Sequence, residues 1–199
     1  MKKLVFPIIA MLLGMAACNK DNEGILKLEV DPYAADAKAH LDDENYVVWD
    51  DDDQVKVNGT DYNVVVSPTS ATIADVPEAD NYTAVYPASW ANASGSGVTY
   101  PEIQTYRKNS DGDQVVYAPM AAYSTGGTLT FHNLGSILAV TVTNSNSETV
   151  SVRKIEVVAE DHVSINGTCS ISGLTTDRPF VGSPSEGGST TTLECNGES

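Results

Sequence analysis

Asp50, Asp51, Asp52 and Asp53 stand in a row directly after Trp49, and carboxylates packed this densely raise the question of a bound cation. A Ca²⁺ ion needs six or more oxygens converging on one point. Side chains alternate along an extended chain, so only two of the four would face one way, and a solvated acidic run leading into a strand is the favoured reading. A second acidic spot, Asn109-Ser110-Asp111-Gly112-Asp113, offers oxygens at alternate positions as a Ca²⁺ loop begins, but it lacks the later bidentate Glu. It reads as a turn. His40, His132 and His162 are widely separated with no carboxylate at ligand spacing, and they read as loop or outward strand residues. There is no Gly-x-Ser-x-Gly elbow, no His-Glu-x-x-His and no phosphate-cradling glycine loop. No catalytic residue, metal ligand or cofactor is therefore assigned, and the chain is not expected to be an enzyme.

The residue with a covalent role is Cys18. Lys2 and Lys3 precede an apolar run that continues to Met15, too short to span a bilayer comfortably, and Ala16 and Ala17 lead into the cysteine. Small residues just before a cysteine at the end of such a run resemble the bacterial lipobox, which implies cleavage before Cys18 and acylation of its thiol. Residues 1–17 are then a lipoprotein signal peptide and 18–23 a polar, mostly acidic tether. Asn19-Lys20-Asp21-Asn22-Glu23 resembles the export signal of surface-exposed Bacteroidetes lipoproteins, so the expected location is the outer leaflet of the outer membrane, with a periplasm-facing lipoprotein as the alternative. One acyl chain holds a protein only marginally, and several hold it stably.

The 199-residue chain has a formal charge of −16, and loss of the signal peptide removes two lysines and makes it more acidic still. Nucleic acid and anionic head groups would repel it. Its 41% hydrophobic content, with nine Tyr, two Trp and three Phe, is enough for a packed core and unlike a disordered composition. Outside the cytoplasm Cys169 and Cys195 could persist as a disulfide. The sequence leaves their pairing open, and the looseness of the stretch around Cys195 favours two unpaired thiols.

Nearly every ordered stretch after residue 24 has period two. Leu26, Leu28 and Val30 alternate with Lys27 and Glu29, which predicts a first strand with one buried face. Residues 31–46 are polar and predict a long exposed loop. Asn58-Gly59 between alternating runs predicts a hairpin, and Asn166-Gly167 a second turn. Tyr82, Ala84 and Tyr86 share one strand face, as do Leu129 and Phe131. The run Leu138-Ala139-Val140-Thr141-Val142-Thr143 is the most apolar, and it is expected to be a core strand paired with 129–131. No stretch of ten or more residues shows a capped helical period. Many short strands at close spacing predict an all-β sandwich of about seven or more mostly antiparallel strands. From 176 to 199 the composition becomes that of a linker, with 190–194 as one further strand.

Five motifs, in order, resemble the N-terminal domain of the fimbrillin family of Bacteroidetes. They are Tyr82-Thr83-Ala84-Val85-Tyr86-Pro87, Pro101-Glu102-Ile103-Gln104, Ala118-Pro119-Met120-Ala121, Leu129-Thr130-Phe131-His132-Asn133-Leu134-Gly135 with Ser136-Ile137-Leu138, and Val152-Arg153-Lys154-Ile155-Glu156-Val157-Val158-Ala159. Trp49 followed by acidic residues fits as well, and the resemblance covers about residues 26–171. It implies a transthyretin-like sandwich over 24–175, and it makes 176–199 a linker and the start of a second domain. It also implies a role as subunit or anchor of a pilus, with other fimbrial subunits as partners and the outer membrane reached through lipid on Cys18. A host surface and a glycan are both candidate adhesive targets, and the sequence leaves the target open.

In that family a protease cuts the loop after the first strand, the strand leaves, and a neighbouring subunit's strand refills the groove. Here Leu26, Leu28 and Val30 would form the removable strand. There is no arginine before Arg107, so the candidate processing site is the Lys38–Ala39 bond. The alternative function is a surface glycan-binding lipoprotein of a nutrient uptake system, for which Trp90 with Tyr82, Tyr86 and Tyr100 supplies the aromatic residues. Cys18→Ser tests the anchor: the substituted protein is expected in the soluble fraction or as uncleaved precursor, and wild-type partitioning with outer membranes would refute lipidation.

Overall fold

The computed structural model describes residues 24–31, 40–41, 47–68, 70–108, 114–115, 118–138, 140–145, 147–161, 163–176 and 178–195. Cys18, the 18–23 tether, Lys38 and Ala39 lie outside them. So do the 109–113 turn, most of the 31–46 loop and His162.

Among the described residues the secondary structure is all strand, as the period-two reading predicts. In chain order the strands are β1 (Leu26–Val30), β2 (His40–Leu41), β3 (Val47–Val48), β4 (Gln54–Val57), β5 (Thr60–Asn63) and β6 (Val65–Ser67). Then come β7 (Ser70–Ile73), β8 (Tyr82–Tyr86), β9 (Gly97–Tyr100), β10 (Ile103–Thr105), β11 (Arg107–Lys108) and β12 (Gln114–Val115). The last six are β13 (Met120–Ser124), β14 (Thr128–Asn133), β15 (Lys154–Val158), β16 (Gly167–Ser172), β17 (Phe180–Val181) and β18 (Thr190–Glu194).

Eight of these strands form one sheet in the order β5-β4-β8-β13-β14-β1-β7-β6. Its two outermost strands, β5 and β6, are joined by the single residue Val64, so the sheet has to curl until its edges nearly meet. Val64 is buried, and its N–H donates to the Asp53 carbonyl at 2.9 Å. Curling turns one face inward. Leu26 and Leu28, Val55 and Val57, Ala71 and Ile73, Tyr82, Ala84 and Tyr86, Met120 and Ala122, and Leu129 and Phe131 fill the interior with Trp49. Alternation along each strand puts these residues on the same side, and β-branched and aromatic side chains suit that pleated surface.

A second, smaller core lies on the other face of β8 and β13. Val85 and Ala121 point outward from the curled sheet and pack with Val98, Leu134, Cys169 and Ile171. Strand β9 contributes to this layer, and β16 joins it by pairing antiparallel with both β9 and β17. Because β8 and β13 are covered on both sides, the arrangement is a sandwich built onto a nearly closed sheet. The Asn58-Gly59 hairpin is present as predicted. Both residues have positive φ, 47° and 86°, which is what a two-residue turn between β4 and β5 requires.

Three sequence expectations are corrected. Residues 138 and 140–143 are not a core strand, for Leu138 is 66% exposed and Val140 and Val142 are exposed as well. Both edges of β14 are already occupied, by β13 and by β1, so no free edge remains for that segment to pair with. Asn166-Gly167 is not a hairpin turn. Asn166 is buried, with Nδ2 donating to the Thr190 carbonyl at 2.5 Å and Oδ1 accepting from Gly188 N–H at 2.6 Å.

Asn166 thereby holds down the stretch read as a linker. Strand β18 lies between β10 and β15, parallel to the first and antiparallel to the second, so the described residues to 195 belong to the same system of sheets. Of the glycines that suggested a linker, Gly187 and Gly188 lie against Asn166, whereas Gly182 faces open space. A Cβ on Gly187 would fall 1.7 Å from the Asn166 carbonyl oxygen.

These burials separate two leucines that the sequence treats alike. Leu28→Ala is expected to cost about 2–5 kcal/mol by denaturant unfolding, as for a filled core site. Leu138→Ala is expected to cost less than about 0.5 kcal/mol, as for an exposed position.

Candidate functional site

The first strand occupies an interior slot of the curled sheet. Strand β1 runs parallel to β14 along Lys27–Val30 and antiparallel to β7 along Leu26–Leu28. Leu26 and Leu28 are buried and Val30 packs at the edge of the same core, while Lys27 and Glu29 face outward and pair with each other at 2.6 Å. The strand is tied at both ends. Gly24 accepts from Val76 N–H at 3.0 Å, and Asp31 N–H donates to the Phe131 carbonyl at 2.9 Å. At that second end Asp31 Oδ2 lies 3.0 Å from His132 Nδ1.

No sequence pattern linked Asp31 to His132, because 101 residues separate them. The register of β1 against β14 is what brings them together. The pair clamps the last residue before the 32–39 stretch to the strand beside it. Chemically the site is a set of main-chain hydrogen bonds to β14 and β7 and apolar contacts with the core. Its one described link to the following chain is Asp31.

The acidic run plays a structural part at the other side of the core. Asp51 and Asp52 are exposed, and Asp51 Oδ1 accepts from Val66 N–H at 2.8 Å. Asp53 is buried and is not the solvated residue expected from sequence. Its Oδ2 accepts from Asp50 N–H and its Oδ1 from the Tyr86 hydroxyl, each at 2.8 Å. Tyr86 in turn meets Trp49 edge to face, with ring centroids 5.2 Å apart. Beside them a shallow hollow of about 110 Å³ is lined by Asp52, Asp53, Tyr86 and Ser89. Burial pushes the Asp53 carboxyl up to about 6, and the carboxylates of Asp50 and Asp52 add to the rise, against the Asp50 and Tyr86 hydrogen bonds that favour the anion. Among the described residues no group of three or more His, Cys, Asp or Glu is placed to hold a metal ion.

The aromatic residues do not gather on one exposed face. Tyr82 and Tyr86 lie in the main core. Trp90 and Tyr100 pack against the second core with tilted rings 6.4 Å apart, and the Tyr100 hydroxyl donates to the Leu134 carbonyl at 2.8 Å. Cys169 and Cys195 are both buried free thiols, and burial holds the Cys169 thiol above its ordinary range.

Asp53 makes a signed pH prediction. A carboxyl whose folded value is raised from 3.8 to about 6 contributes stability that is fully present below 3.8 and lost as pH rises through 6. Between pH 7 and pH 5 the wild type should gain about 1 kcal/mol more unfolding free energy than Asp53→Asn, measured by denaturant titration at both pH values. Equal gains would mean that Asp53 titrates normally.

A scan against protein-family models finds no match to this chain, and searches of curated proteins and of solved structures find none either.

Proposed function

We propose that this chain is a cell-surface lipoprotein that serves as a structural or adhesive subunit, or as the anchor, of a pilus, and that it assembles by strand exchange between β-sandwich domains. The observation that carries this reading is the position of β1. A short strand with two buried leucines sits between β14 and β7, and the chain then continues through the largely polar stretch 31–46. Cutting that stretch would leave β1 held by non-covalent bonds alone. Its loss would open a slot with one unpaired strand edge on each side, the geometry a partner's strand can fill. Cys18, upstream of β1, would attach the uncut form to the outer membrane through its lipid.

The glycan-binding alternative draws no comparable support, since two of its four aromatic side chains are buried in the core. Whether the protein polymerises or anchors depends on the Lys38–Ala39 bond. Mass spectrometry of the N-terminus of surface-assembled protein separates the two: a start at Ala39 is expected for a polymerising subunit and a lipid-modified Cys18 for an anchor. Any other N-terminus overturns both forms of the proposal.

A further inference from the structure

We propose that residues 138–143 are a donor strand that fills the β1 slot of a second copy of this chain. The inference rests on the strand-exchange reading above and names the segment that performs it.

Four observations converge on this segment. First, it is unpaired: among the described residues, 138 and 140–143 belong to no strand and bond to none. Yet Leu138, Val140 and Val142 are 66%, 49% and 58% exposed, in a chain whose other alternating runs are mostly folded into sheets. An uncharged, β-competent run without Pro or Gly is a ready partner for any free strand edge. Second, its spacing matches the slot. Strand β1 reads Leu26-x-Leu28-x-Val30 and the exposed segment reads Leu138-x-Val140-x-Val142, so apolar side chains recur at the same three positions with nearly the same sizes.

Third, the intervening positions are tolerant. In β1 they are Lys27 and Glu29, which face outward, and in the segment they are Ala139 and Thr141, which put no charge where it would be buried. Fourth, the electrostatics favour this contact. Two chains of net charge −16 repel over most of their surfaces, but no Asp, Glu, Lys or Arg occurs from 135 to 147. Strands β7 and β14, the walls of the slot, contain none either. Neutral strand meets neutral slot, so the copies can approach there without desolvating a charge.

The test uses the full mature chain with a specific protease site built into 32–39, so that β1 can be severed on demand. Val140→Lys is introduced alongside, and because Val140 is exposed the uncut variant should unfold within about 0.5 kcal/mol of its parent. After cutting, size-exclusion chromatography and electron microscopy should show the parent forming oligomers that have shed the N-terminal fragment carrying β1. The Val140→Lys form should yield oligomer reduced about tenfold or more, since a lysine would have to enter an apolar pocket. Thr141→Lys, at an outward position, should assemble as the parent does. Equal assembly of the Val140→Lys form would overturn this assignment and leave strand exchange standing with another donor. A cut parent that keeps its fragment and stays monomeric would overturn both.

Discussion

The fold depends on Trp49. Its indole meets Tyr86 and Phe131 edge to face, both with ring centroids 5.2 Å away, and so ties the approach to β4 to strands β8 and β14 across the interior of the curled sheet. Edge-to-face contacts of this kind add about 0.5–1.5 kcal/mol each beyond the area they bury. The indole Nε1 is buried without a hydrogen-bond partner among the described residues, which opposes part of that gain. Tyr86 is held in turn by Asp53, whose carboxylate also closes the turn after Trp49. The acidic run therefore shapes a core corner, and the cost of keeping one carboxylate there is its raised proton affinity.

Closure of the sheet follows from the same corner. Asp53 lies at the start of β4, and its carbonyl accepts from Val64, the residue that joins the two outermost strands. A sheet closed in this way has few free edges, which explains why the apolar run around Leu138, Val140 and Val142 is left outside. Strand β14 has neighbours on both sides, β13 and β1, so neither of its edges is open to that run. Exposure of that segment and burial of β1 are thus two aspects of one topology.

Local period-two patterning made β1, the Asn58-Gly59 hairpin, and the inward faces of β8 and β14 legible in the sequence, because alternation and turn chemistry act over a few residues. What patterning does not carry is which edge a strand finds. Leu138 and Leu28 look equivalent in sequence, and their fates differ only because pairing is non-local. The same limit hid the Asp31 to His132 contact and the bond from Asn166 to Thr190. Glycines at 187 and 188 signalled a linker by composition, whereas their constraint is the close approach of Asn166, by its backbone at Gly187 and by its side chain at Gly188.

An interior strand can be a replaceable part only if something removes its advantage. While β1 is covalently joined to the rest of the chain, its effective concentration at the slot is of the order of millimolar or higher, far above that of a separate molecule. A donor reading Leu-x-Val-x-Val buries about one methylene less than Leu-x-Leu-x-Val, worth about 0.8 kcal/mol, so affinity alone gives it no lead. Severing 32–39 changes the comparison. Under the proposed scheme the fragment would then compete for the slot as a separate molecule, while the donor of an adjacent subunit would stay held by its own folded domain. In this scheme the direction of assembly is set by the covalent cut, and the closely matched apolar patterns of the two strands let one slot accept both.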